Sequence, residues 1–135
     1  MPAVLPDVKV EGQVALLVRI WLSEAWRDLW TALNYALETF ERMGLPRDAP
    51  DTLVGQTCQS RQTVLVTANR NRRGPDSLED AIRTINTPTS LPVVTLANPE
   101  RLTHDRAYAE RAAERLLDYL LNIENYRGVG RLYVP

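Results

Sequence analysis

A chain of 135 residues and 15.3 kDa has room for one domain and can bury a conventional core without staples. Hydrophobic residues at 44% and charged residues at 24% exclude disorder and low complexity. Sixteen basic against seventeen acidic residues leave a net charge of -1, so no global positive field draws the chain to nucleic acid or anionic membrane, while a single cysteine, Cys58, and a single histidine, His104, exclude a disulfide framework and Cys- or His-rich metal centres.

Ala3-Val4-Leu5 opens the chain as a short apolar strand, followed by Pro6 and Asp7. From Gln13 to Leu22, Val14, Leu17, Val18, Trp21 and Leu22 recur at helical spacing and predict a mostly buried helix against a sheet. A second amphipathic segment runs from about Glu24 to Leu33 through Trp26, Leu29 and Trp30, and Tyr35 to Phe40 has the pattern of a short strand. After the Met43-Gly44-Leu45-Pro46 break, a helix is expected over Asp51 to Ser60 with Leu53, Val54 and Cys58 inward.

Thr63 to Thr67 is a β-branched, nearly continuous apolar run, the pattern of a parallel strand covered on both faces. A polar loop from Ala68 to Pro75 follows, and Ser77 with Asp80 can cap a helix through Ile85. Leu91 to Leu96 repeats the buried-strand pattern, Ala97 to Glu100 is a polar turn, and the longest helix spans about Asp105 to Ile123. Gly128 and Gly130 end that region before a terminal strand, Arg131 to Val134. This alternation predicts a single α/β domain over residues 1–135, a three-layer sandwich around a mainly parallel sheet of four to five strands. The longest apolar run, Val14 to Val18, is far short of the about 20 residues a bilayer span needs, and no basic, apolar leader opens the chain; a cytoplasmic protein without membrane attachment is expected.

In such sheets ligands gather where loops and helix N-termini converge at the carboxyl ends of the strands. Asp7 follows the first strand, Asp48 and Asp51 open one helix, Asn69 and Asn71 follow the strongest strand, and Asp76 and Glu79 open the next helix. Carboxylates from three loops form the oxygen ligand set that Mg²⁺ or Mn²⁺ takes. Within residues 61–83 five Arg face three acids, a local +2, with Arg70, Arg72 and Arg73 in the adjoining loop suited to phosphate.

At this constellation the sequence resembles the PIN-like nucleases, a family that includes toxins of bacterial toxin-antitoxin pairs. The closer likeness is to small uncharacterised bacterial PIN-like proteins, in which a run like Thr67-Ala68-Asn69-Arg70-Asn71, then Gly74-Pro75-Asp76-Ser77-Leu78-Glu79, follows the strong strand. The resemblance implies a metal-dependent ribonuclease in which Asp7, Asp51 and Asp76 bind Mg²⁺ or Mn²⁺, with Asp48 as rival to Asp51. Glu79 would orient the attacking water, and Asn69, Arg70, Asn71, Arg72 and Arg73 would contact RNA phosphate. RNA and an antitoxin-like protein are the partners it implies.

Two further function classes stay open. A PIN-like module without catalysis is favoured by Lys9, which stands where the toxins commonly place a second polar ligand, and by Asn69, which stands where they usually place Asp. A homodimer built on an exposed helix surface bearing Trp26, Trp30 or Tyr119 is the other. Helix capping alone accounts equally well for Asp48 and Asp51, and slightly less well for Asp76 with Glu79. There is no G-x-G-x-x-G, Walker A or G-x-S-x-G pattern, so dinucleotide, nucleoside triphosphate and hydrolase-elbow chemistry have no support.

Overall fold

The computed structural model describes residues 2–68 and 78–135. Five strands, β1 (Ala3–Pro6), β2 (Ala36–Leu37), β3 (Thr63–Thr67), β4 (Val93–Leu96) and β5 (Arg131–Val134), form one all-parallel sheet in the order β2-β1-β3-β4-β5. All five residues of β3 and all four of β4 are buried, as their unbroken apolar sequences require of central strands covered on both sides.

Alternate side chains divide the interior into two cores. Val4, Val64, Val66, Val94, Leu96 and Val134 point to one face, packed by α1 (Glu11–Trp21) and α6 (Arg106–Leu121); Leu5, Leu65 and Val93 point to the other, packed by α3 (Asp51–Ser60) and α4 (Leu78–Ile85). The result is the three-layer α/β sandwich. The connections carrying α1, α3 and α4 share one hand, because each reversal of direction along the sheet is matched by a change of face. The link from β4 to β5 continues in the same direction as the β3 to β4 link yet returns to the α1 face, so it has the opposite hand. It is no single helix: α5 (Pro99–His104) and α6 meet at Asp105, whose extended backbone bends the chain while its carboxylate accepts from Tyr108 N at 3.1 Å. A buried hydrogen bond from Trp21 Nε1 to Ala113 O, 2.9 Å, then locks α6 beside α1.

Several boundaries differ from the sequence expectations. The strand expected over Tyr35 to Phe40 shrinks to Ala36–Leu37. Glu38 N still donates to Val4 O at 2.9 Å, but the next bond of a parallel ladder would need the N–H that Pro6 lacks, so the pairing stops. Phe40 instead enters the α3-side core. Leu53, expected inward, is 41% exposed, because Val54 and Cys58, four apart, already define the inner face of α3. The polar turn at Ala97 to Glu100 starts α5: Asn98 accepts from Arg101 N and Pro99 occupies the first helical turn. The second amphipathic segment is helical only as α2 (Arg27–Leu33). Ser77, expected to cap α4, lies outside the described residues. No described helix is long and apolar enough to cross a membrane.

Candidate functional site at the carboxyl edge

Strand β1 lies second in the sheet, between β2 and β3: its chain leaves toward the α1 layer, whereas neighbouring β3 leads to α4 on the opposite face. In open parallel sheets such a divergence, at the carboxyl ends of the two strands, is where ligands gather. Asp7 stands there. Its N–H donates to Val66 O at 2.8 Å, which carries the β1–β3 ladder one residue past Pro6. Pro6 is tolerated because alternate residues of β1 direct their N–H groups to β3, and its own missing hydrogen falls on the β2 side where that strand has ended.

The half-buried Asp7 carboxylate is held at both oxygens. Oδ1 accepts from Val8 N at 2.9 Å, capping the 3-10 turn Val8–Val10, and Oδ2 accepts from Thr67 Oγ1 at 3.2 Å. Thr67 is 1% exposed at the end of β3, so a buried hydroxyl fixes the rotamer of an accessible acid. Lys9 is solvent-exposed on the turn that follows. Thr67 escaped the sequence reading; the signal was a polar residue ending the most apolar strand.

Asp51 is the first residue of α3, whose N-terminus the parallel topology places at the same edge of the sheet, and it is partly buried. Asp48 is exposed in the preceding loop. Glu79, on the first turn of α4, is engaged elsewhere: its Oε2 lies 3.0 Å from Arg131 Nη2, and Arg131 Nη1 also donates to Thr95 Oγ1 at 2.6 Å. Asn69, Arg70, Asn71, Arg72, Arg73 and Asp76 lie outside the described residues.

Among the described residues no three His, Cys, Asp or Glu side chains gather into a group that could hold a metal ion. Asp7 and Asp51 carry carboxylate oxygens, the donor type that the hard cation Mg²⁺ takes. Nucleophilic alternatives fall away. Burial pushes the Cys58 thiol up to about 12, so it stays protonated and inert at neutral pH. His104 is exposed in the last turn of α5.

No protein-family model, curated protein or solved structure matches this chain.

Proposed function

We infer that the chain is a metal-dependent ribonuclease of PIN-like type, with its site at the carboxyl ends of β1 and β3. The observation that carries this reading is the Asp7 carboxylate, accessible at the topological switch point and oriented by Thr67 Oγ1 and Val8 N. Asp7 and Asp51 would hold Mg²⁺ or Mn²⁺, with Asp76 added from the sequence pattern. A divalent ion held by these carboxylates would polarise water and neutralise charge on a phosphodiester. Thr67 keeps Asp7 in one rotamer, so no side-chain ordering is needed on binding. Arg70, Arg72 and Arg73 would pair with the phosphates of an RNA strand. Glu79 could orient water only while also serving Arg131.

That commitment of Glu79 favours a second reading, a PIN-like module that binds without hydrolysing. Calorimetric titration with Mn²⁺ of the wild type beside Asp7→Asn tests the site. Saturable binding in the wild type, reduced at least about tenfold in the variant, or more than about 1.4 kcal/mol, is the expected result. Absence of binding at millimolar Mn²⁺ would overturn the metal site. Binding without Asp7-dependent cleavage of single-stranded RNA would select the non-catalytic module.

A further inference from the structure

On the α1 and α6 side of the sheet, α2, α6 and Pro135 after β5 line an open groove of about 480 Å³. Trp26, which precedes α2, Leu29 of α2 and Leu121 of α6 form its apolar side, and Leu121 is 50% exposed. Its charged lining comes from α6 alone: Arg111, Glu114, Arg115 and Asp118, two of each sign. None of these four forms an ion pair with another described residue. Arg111 lies over the Tyr108 ring at 5.7 Å, and Asp118 Oδ1 accepts from Asn122 within its own helix.

Their spacing has a symmetry. Arg111 and Asp118 are seven residues apart, so they fall nearly on one line of the helix, about 10 Å from each other along its axis. A second α6 laid antiparallel across a two-fold axis between residues 114 and 115 sets Arg111 against Asp118 of the other copy, and does so twice. Glu114 and Arg115 flank the axis with opposite charges that cancel. The same two-fold brings like flank to like flank, so the apolar sides bearing Trp26, Leu29 and Leu121 meet along one edge of the contact. Parallel pairing would instead oppose Arg111 to Arg111.

We propose that this groove is a self-association surface, whose occupant is α6 of a second copy of this chain in antiparallel orientation, registered by reciprocal Arg111–Asp118 pairs. It is independent of the nuclease reading, since the surface lies on the α1 and α6 layer and not at Asp7. The interface is isologous and closes at two copies. Exposed ion pairs contribute specificity more than affinity, so the dimer weakens as salt screens them.

Sedimentation velocity from about 1 μM to about 1 mM reads the outcome directly. The wild type should show a concentration-dependent dimer that weakens at high salt. Arg111→Glu and Asp118→Arg should each be monomeric, because each creates two like-charge contacts per dimer. An equimolar mixture of the two variants should form a heterodimer, in which both contacts are again pairs of opposite charge, one in the native polarity and one reversed. Circular dichroism and melting of each variant establish that it is folded. A wild type monomeric throughout the range overturns the proposal, and a groove fitted to an unrelated protein would give that result. Reversal variants that dimerise like the wild type, or a mixture without heterodimer, overturn the register and the occupant.

Discussion

Replacing Glu79 by Ala separates an anchoring role for this residue from a purely catalytic one. Arg131, at the start of edge strand β5, sends a guanidinium that is 8% exposed to both Glu79 and Thr95, while the Glu79 side chain is 31% exposed. Unit charges about 4 Å apart at an effective dielectric of 20 attract by about 4 kcal/mol before desolvation is counted. Breaking a fully buried pair costs about 3–5 kcal/mol and an exposed one about 0.2–1 kcal/mol, and this pair lies between those limits. The two truncations are therefore unequal. Glu79→Ala takes the counter-charge from the more buried partner and is expected to cost about 2–3 kcal/mol, whereas Arg131→Met leaves a carboxylate that water can reach and should cost about 1–2 kcal/mol. The double variant should cost no more than Glu79→Ala alone, a coupling of about 1.5 kcal/mol in a double-mutant cycle. Urea unfolding at pH 7 measures all four proteins, and thermal midpoints should move by about 3–4 °C per kcal/mol for a chain of this length. Additive costs, or a Glu79→Ala protein as stable as the wild type, would refute the anchoring role.

Two further outcomes follow from backbone and proton geometry. Gly128 has φ +86° and a Cβ there would sit 3.1 Å from Pro88 O, so Gly128→Ala should lose about 2–3 kcal/mol, whereas Gly12→Ala, in open space on the first turn of α1, should gain up to about 0.5 kcal/mol; equal effects in urea unfolding would contradict this. Tyr35 donates to Leu120 O at 2.7 Å, and burial, with a smaller contribution from Glu124, pushes its hydroxyl up to about 12 against about 10 in an unfolded chain. Above about pH 10 the unfolded state loses this proton first, so the contribution of Tyr35 to stability should be constant below that pH and fall between about 10 and 12, a decline that Tyr35→Phe should reduce; equal slopes in the two proteins would count against it.

Much of the fold is visible in local pattern. The unbroken apolar runs at Thr63–Thr67 and Val93–Leu96 specify buried parallel strands, and helical spacing identifies α1, α3 and α6, because both signals come from residues a few positions apart. Asp7 is legible as an acid after a strand. Other features hold a local signal that the alternation overshadows: Asn98-Pro99 is a cap and first-turn pair, and Pro6 ends a ladder by lacking one hydrogen.

The sequence by itself determined the α/β class and the parallel character of the sheet, since composition and periodicity are properties of neighbours along the chain. Only the tertiary structure decided the strand order that sets Thr67 against Asp7 across 60 residues, the return of α6 to the α1 face, and the engagement of Glu79 by Arg131, 52 residues away. These pairings depend on which strands become neighbours. That choice is made by packing two cores at once, and no short window of sequence contains both partners.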